Sequence, residues 1–171
     1  MKLFRRILVP YDFSEHATRA LRLAAELAHA HGGRLLVLHV ITPYHPATAL
    51  PDEGVVWYPE PDMVTNERRR LEQLVARTLR GRSAPRNACK VVIGDAFHRI
   101  MDAARGVDAI VMATAGRTGL SHLLIGSVAE KVVRHSPVPV LTLRPAAVRA
   151  RTRRRRLGRG RGTTRRAARR R

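Results

Sequence analysis

Residues 7–41 have the sequence ILVPYDFSEHATRALRLAAELAHAHGGRLLVLHVI, and this stretch decides the fold. Its two ends, residues 7–9 and 35–41, are short apolar runs of the kind that form buried strands. Between them, from Ser14 to His31, apolar residues recur every three or four positions, which predicts one amphipathic helix. The Gly32-Gly33 pair then ends the helix and turns the chain. A strand, a helix and a second strand in this order predict a parallel crossover unit.

The same alternation continues along the rest of the chain. Apolar runs recur at residues 91–93, 109–112 and 138–143, and helical patterns span about 64–80 and 96–105 and begin again near Ser127. This alternation predicts an α/β fold of the doubly wound, Rossmann-like kind, with a five-stranded parallel sheet and helices on both faces. Pro139 lies within the last run and cannot donate to a central ladder, so that strand is predicted to lie at an edge of the sheet.

Composition bounds the kind of core and the compartment. Aromatic residues make up only 4% of the 171 residues, which predicts an aliphatic core. The single cysteine, Cys89, excludes an intramolecular disulfide and a Cys-rich zinc site. Because Cys89 opens an apolar run, it is predicted to be a buried strand thiol. No apolar segment has the length of a membrane helix and no secretory signal is evident, so we expect a cytoplasmic protein.

The net charge of +20 is concentrated at one end of the chain. Residues 149–171 hold 13 arginines and no acidic residue, which leaves +7 on the first 148 residues. We therefore expect a folded domain over residues 1–145 and a disordered arginine-rich tail over residues 146–171. The tail is either a solvated charge run or a nonspecific contact for nucleic acid.

The longest predicted connection spans residues 42–62 and holds five prolines. Loops of this length are either functional or flexible, and both alternatives stay open. The helix that follows is predicted to begin near Val64.

The segment most informative about function is residues 112–127, MATAGRTGLSHLLIGS. It follows a buried strand and opens a helix, and ligands of doubly wound sheets bind at the carboxyl ends of strands. Glycines let backbone amides approach a phosphate, and a helix N-terminus adds unpaired N–H groups and a positive dipole end. The segment contains neither a Walker-type loop nor a dinucleotide-binding G-x-G-x-x-G motif.

This segment resembles the universal stress protein family, whose nucleotide-binding members carry G-x2-G-x9-G-[ST] after the fourth strand. Gly116, Gly126 and Ser127 match the last three elements, whereas Ala113 replaces the first glycine. Residues 7–14 and 136–141 resemble the opening and closing segments of the family as well.

The resemblance implies the strand order 3-2-1-4-5 and a regulatory role in the stress response, with ATP or a related adenine nucleotide as ligand, with or without Mg²⁺. It also implies a homodimer that pairs through the fifth strand, from Val138 to Leu143. The positions that it assigns to the nucleotide site are Pro10, Asp12, Val40, Met112, Ala113, Gly116, Arg117, Gly119, Gly126, Ser127 and Val128.

Several of these residues have a plainer interpretation. Ser127 with Glu130, and Asp12 with Glu15, have the spacing of helix caps. Gly119 fits either a plain turn or a phosphate flap. An alanine at position 113 is unfavourable if the backbone there needs a positive φ, and it is tolerated if the position needs only space. A nucleotide-free interaction protein is therefore the alternative hypothesis. No motif pairs a nucleophile with a base, so we assign no catalytic residue, and slow ATP hydrolysis is the least supported alternative.

Overall fold

A computed structural model describes residues 4–43, 60–80, 86–114 and 126–144. Its elements in chain order are β1 (Arg6–Pro10), α1 (Glu15–Ala30), β2 (Arg34–Ile41), α2 (Pro61–Thr78), β3 (Arg86–Ile93), α3 (Ala96–Ala104), β4 (Ala109–Ala113), α4 (Ser127–His135) and β5 (Val140–Leu143). The strands are all parallel and lie in the order β3-β2-β1-β4-β5. The doubly wound sheet and its strand order are therefore confirmed.

Both faces of the sheet are buried, which explains why its central strands are continuously apolar. In β1, Ile7 and Val9 belong to a core cluster with α1 and α2, whereas Leu8 belongs to a second cluster with α3 and α4. The largest fully buried side chains are all Leu, Ile or Val, so the predicted aliphatic core is confirmed.

The turn from α1 into β2 depends on its two glycines. Gly32 adopts a φ of +59°, a left-handed conformation that favours glycine. A Cβ on Gly33 would clash with the Phe4 carbonyl oxygen and lie 2.9 Å from the Arg5 Cα. The pair therefore ends α1 and lets the chain pass closely beside the start of β1.

Three predicted boundaries are wrong. Helix α2 begins at Pro61 rather than near Val64, because the fixed φ of proline suits the first position of a helix. Strand β3 begins at Arg86 rather than near Val91, because it pairs with β2 along its full length despite its polar start. Strand β5 begins at Val140, so Pro139 precedes the strand instead of lying within it.

The edge position predicted for β5 is confirmed by the strand order. Pro139 still contributes to the sheet, because its carbonyl accepts a hydrogen bond of 2.9 Å from the Ile110 amide. Proline keeps this acceptor although it has no N–H to donate.

Three sequence-based predictions fall outside the described residues. They are the connection at residues 44–59, the glycine loop at residues 115–125 and the arginine-rich tail. Within the parts that are described, no helix is both long enough and apolar enough to cross a membrane.

Cys89 is half-buried rather than fully buried, because it lies on the edge strand β3 and packs only against the first core cluster. Burial raises the pKa of its thiol from 9.0 to about 11, and the nearby Glu72 acts in the same direction. The thiol is therefore protonated and weakly nucleophilic at neutral pH.

We expect the pH profile of Cys89 alkylation by iodoacetamide to have its midpoint near pH 11 in the native protein. In denaturant the midpoint should return to about pH 9, the ordinary value of this thiol. Since the native pKa is raised, the stability that comes from the neutral thiol is complete below pH 9 and is lost as the pH rises to 11. The Cys89→Ala variant should lack this pH-dependent loss of stability. A native midpoint at or below the denatured one would contradict the prediction.

Candidate functional site

A crevice opens where β1 and β4 separate. Strand β1 pairs with β2 at all five of its residues, but with β4 only at Ile7 and Leu8. Beyond Leu8, β1 and β4 no longer pair with each other, although each still pairs with its other neighbour. The chain leaves β1 and β4 for helices on opposite faces of the sheet. This is the point at which strand order reverses, where ligands of doubly wound folds bind.

The turn that follows β1 is anchored to β2. The Tyr11 amide donates to the Leu38 carbonyl at 2.8 Å, and Nδ1 of the buried His39 donates to the Tyr11 carbonyl at 2.7 Å. His39 is therefore a buried histidine whose Nδ1 is satisfied by a backbone carbonyl. Phe13 has a φ of +65° and contacts the rings of Tyr11 and His39 at centroid distances of 5.6 and 4.6 Å. These contacts hold a backbone conformation that is strained for a bulky residue.

Tyr11 also ties this turn to α1. Its ring is buried, and its hydroxyl shares a hydrogen bond of 2.7 Å with the Thr18 hydroxyl. Burial raises the pKa of Tyr11, and the hydrogen bond with Thr18 opposes that rise only in part. Tyr11 therefore stays a neutral phenol and serves as a fixed support beneath the turn.

Asp12 lies at the carboxyl end of β1 and does not cap α1. Ser14 is the N-cap, because its Oγ accepts from the Ala17 amide at 3.0 Å. Asp12 Oδ1 instead accepts from the Ser14 amide at 3.0 Å, which fixes the carboxylate inside the turn. Its second oxygen has no hydrogen-bond partner within the described ranges, so it can accept from a ligand.

The backbone of Val40 is turned toward the same gap. Leu38 and Ile41 bond to opposite neighbours, since the Leu38 carbonyl accepts from Tyr11 and the Ile41 carbonyl accepts from Gly94. Backbone groups of a parallel strand alternate between its two neighbours, so the N–H and C=O of Val40 point to the β1 side. Strand β1 ends at Pro10, opposite Leu38, which leaves Val40 beyond the end of the ladder.

Thr114 joins the end of β4 to the start of α4. Its amide and its hydroxyl both donate to the Leu143 carbonyl, at 3.0 and 3.2 Å, and its own carbonyl accepts from the Gly126 amide at 2.7 Å. Sequence reasoning missed this residue. The available signal was a hydroxyl side chain directly after a buried strand, at the carboxyl end where polar groups gather.

The N-terminus of α4 has no side-chain cap. Gly126 is the N-cap and Ser127 is the exposed first helical residue, so the interpretation of Ser127 as the cap is wrong. The first backbone bond at this end runs from the Glu130 amide to the Gly126 carbonyl, at 2.9 Å. The amides of Ser127, Val128 and Ala129 therefore lack an intrahelical acceptor. In contrast, a side chain caps both α1 and α3.

Two small residues shape the approach to these amides. A Cβ on Gly126 would lie 3.2 Å from the Thr114 carbonyl oxygen, which is tighter than an ordinary contact. Ala113 is the last residue of β4 and is paired with Leu143. Among the described non-glycine residues only Phe4 and Phe13 have a positive φ, so the backbone of Ala113 needs no glycine.

The structure therefore gathers most of the predicted residues at one edge of the sheet. Pro10 and Asp12 lie after β1, Val40 near the end of β2, Met112 and Ala113 at the end of β4, and Gly126, Ser127 and Val128 at the start of α4. The side chain of Met112 is buried in the second core cluster, where its packing stabilises the end of β4. Gly116, Arg117 and Gly119 lie outside the described residues.

The switch-point crevice and the uncapped helix beside it define a doubly wound α/β protein of the Rossmann-like class. The sequence model of the universal stress protein family matches residues 3–144, and the chain belongs to that family. The "Universal stress protein in QAH/OAS sulfhydrylase 3'region" of Thermus aquaticus is 37% identical over 147 residues, which cover 83% of this chain and all of that protein.

Solved structures share the same fold. The universal stress protein UspA from Lactobacillus plantarum superposes with a TM-score of 0.61 at 26% identity, over 83% of this chain and 99% of that one. A universal stress protein in complex with cAMP gives 0.58 at 19% identity, over 83% and 98%. An Arabidopsis thaliana family member with AMP bound gives 0.51 at 18% identity, over 82% and 92%. At these identities the last two show likeness of fold alone.

We expect Thr114→Val to lower the free energy of unfolding by about 1 kcal/mol, because the hydroxyl bond to the Leu143 carbonyl is lost while the shape is kept. Thr142→Val is the matched control, since no hydrogen bond of the Thr142 side chain occurs in the part of the chain described. Urea unfolding of both variants measures the difference. Equal stabilities would show that the Thr114 hydroxyl contributes nothing to the junction of β4, β5 and α4.

Proposed function

We propose that the chain binds ATP or a related adenine nucleotide in the crevice between β1 and β4, and acts as a regulatory module in the stress response. The observation that carries this proposal is the uncapped N-terminus of α4, which Thr114 and Gly126 hold at the strand-order switch point. The proposal therefore rests on the positive end of α4, on the position of that end at the switch point, and on membership of the family.

The N-terminus of α4 suits a phosphate group. Three backbone amides without an intrahelical acceptor and the positive end of the helix dipole favour an anion. Gly126 has no side chain to block the approach, and the exposed hydroxyl of Ser127 can donate to a phosphate oxygen. A side-chain cap would compete with the ligand for the same amides.

The other side of the crevice suits a nucleoside. The free oxygen of Asp12 can accept from a ribose hydroxyl, and the Val40 backbone offers one donor and one acceptor side by side. The Watson–Crick edge of adenine likewise presents one acceptor and one donor next to each other. Two neighbours of the same fold are in complex with cAMP and with AMP, so adenine nucleotides are the ligands to test first.

A magnesium ion would depend on the nucleotide for most of its ligands. In the described ranges, no three His, Cys, Asp or Glu side chains are grouped closely enough to hold a metal. Magnesium in nucleotide sites is commonly bound by phosphate oxygens, water and one or two carboxylates. Asp12 is a carboxylate at the end of β1 that could be one of them.

The test is adenine-nucleotide analysis of the denatured protein, followed by calorimetric titration of the full chain with ATP. We expect Gly126→Val to weaken ATP binding at least about 100-fold, because its side chain would crowd the Thr114 carbonyl and cover the α4 amides. Gly106→Val is the control, since the nearest atom to its Cβ is 3.8 Å away and it lies at the opposite edge of the sheet.

Ala113→Gly separates the two hypotheses about the missing glycine. Because the backbone of Ala113 is extended, the glycine should change ATP affinity by no more than about threefold, a small fraction of one charge-assisted hydrogen bond. A folded wild-type protein that carries no nucleotide and gives no heat with ATP would contradict the proposal. If Ala113→Gly then restored binding, the alanine methyl itself would be the obstacle.

We further propose that two chains pair through β5. Among the described residues, β5 is an edge strand with one side of its ladder unpaired, and Leu141 is 40% exposed there. Edge strands with exposed apolar residues favour pairing with a second strand. The proposed contact extends over residues 138–143.

We expect Leu141→Lys to lower the mass measured by light scattering from twice 19.1 kDa to the 19.1 kDa of one chain. A lysine at the centre of the paired strands would bury an unpaired charge, which is strongly unfavourable. Val133→Lys is the control, because Val133 is 51% exposed but lies on α4. A wild-type protein that is already monomeric would refute the pairing.

Nucleic-acid binding by the tail stays a prediction from the sequence.

A further inference from the structure

A cavity lies at the edge of the sheet opposite the proposed nucleotide crevice. It has a volume of about 370 Å³ and opens at the amino ends of β1, β2 and β3, beside the turn that follows α3. Leu36, Ala88 and Val107 contribute apolar surface, and Arg6 and Arg34 contribute the charged groups. Its volume is within the range of small-molecule sites, roughly 300–1,000 Å³.

The two arginines are brought together by strand register. Arg6 and Arg34 are direct partners in the parallel ladder between β1 and β2, and neighbouring strands lie about 4.8 Å apart. Both side chains lie on the face covered by α3 and α4, because Leu8 and Leu36, two residues further along each strand, pack in that cluster. The same register brings the backbone of Arg86 in β3 next to Arg34.

The positive charge at this edge is only partly neutralised. Arg6 donates to Asp108 Oδ1 at 3.3 Å, and the other carboxylate oxygen already accepts from the Arg6 amide at 2.8 Å. For Arg34, the described parts of the chain supply no acidic partner. Because Arg34 lies beside Arg6 in the ladder, a bound anion at this place would offset positive charge that Asp108 neutralises only in part.

We propose that this cavity binds a small organic anion that has an apolar body and an oxyanion head group. The planar guanidinium of Arg34 suits a carboxylate, sulfonate or phosphate head, which it can bind through two parallel hydrogen bonds. The apolar body lies against Leu36, Ala88 and Val107. A bare inorganic anion would leave this apolar surface uncovered, so the lining favours an amphipathic ligand.

Fluorescence titration of the full chain with 8-anilinonaphthalene-1-sulfonate tests the proposal, with the neutral dye N-phenyl-1-naphthylamine as the matched probe. We expect Arg34→Gln to weaken binding of the sulfonate at least about tenfold, because a charge-assisted hydrogen bond is lost. Binding of the neutral dye should change by less than about twofold, because the apolar lining is intact. Arg34 is exposed, so the substitution leaves the core untouched.

Arg69→Gln is the control for net charge and for the arginine-rich tail. Arg69 is exposed on α2, on the other face of the sheet, and the variant keeps every tail arginine. It should bind the sulfonate as the wild type does. An equal loss in both variants, or no loss in Arg34→Gln, would overturn the proposal.

Amide chemical shifts measured by NMR give an independent location for the sulfonate. We expect it to shift the signals of Leu36, Gly106 and Val107 and to leave those of Gly126 and Ser127 in place. Shifts centred on Gly126 and Ser127 would place the probe in the nucleotide crevice and overturn the second site.

Discussion

The structure depends on the need to cover both faces of one parallel sheet. A buried strand such as β1 sends Ile7 and Val9 to one face and Leu8 to the other, so each face needs helices of its own. With right-handed crossovers, the chain covers one face with α1 and α2 while it moves toward β3, and the other with α3 and α4 while it moves toward β5. The reversal between β1 and β4 is the consequence, and it separates the ends of those two strands.

The two proposed anion sites, one at each edge of the sheet, have different sources of positive potential. At the carboxyl edge, the positive potential comes from backbone amides and the dipole of α4, and no basic side chain is required. At the amino edge, it comes from Arg6 and Arg34, which strand register places side by side. A phosphate can approach the α4 amides closely, because the N-cap Gly126 has no side chain. Guanidinium groups above an apolar cavity favour an amphipathic anion instead.

The sequence predicted the elements well and their ends less well. Apolar runs and helical periodicity are local properties, so the five strands and four helices of the described residues agree with those predicted. The strand order was implied by the family resemblance, and the structure has it. Caps depend on where a side chain reaches. Ser14, not Asp12, caps α1, and Gly126 precedes Ser127 at α4, although the spacing to Glu15 and Glu130 fitted a capping box in both cases. Thr114 was missed because its partners, Leu143 and Gly126, are distant in sequence.

By itself, the sequence determined the fold class, the aliphatic core, the family and the glycine-containing segment after β4, because periodicity, composition and motif spacing are written along the chain. Only the tertiary structure decided that Ala113 is extended, that the Val40 backbone faces the gap beyond β1, and that Arg6 lies beside Arg34. Each of these depends on which strands pair and in what register. That choice is made by packing both faces of the sheet at once, and no local stretch of sequence contains it.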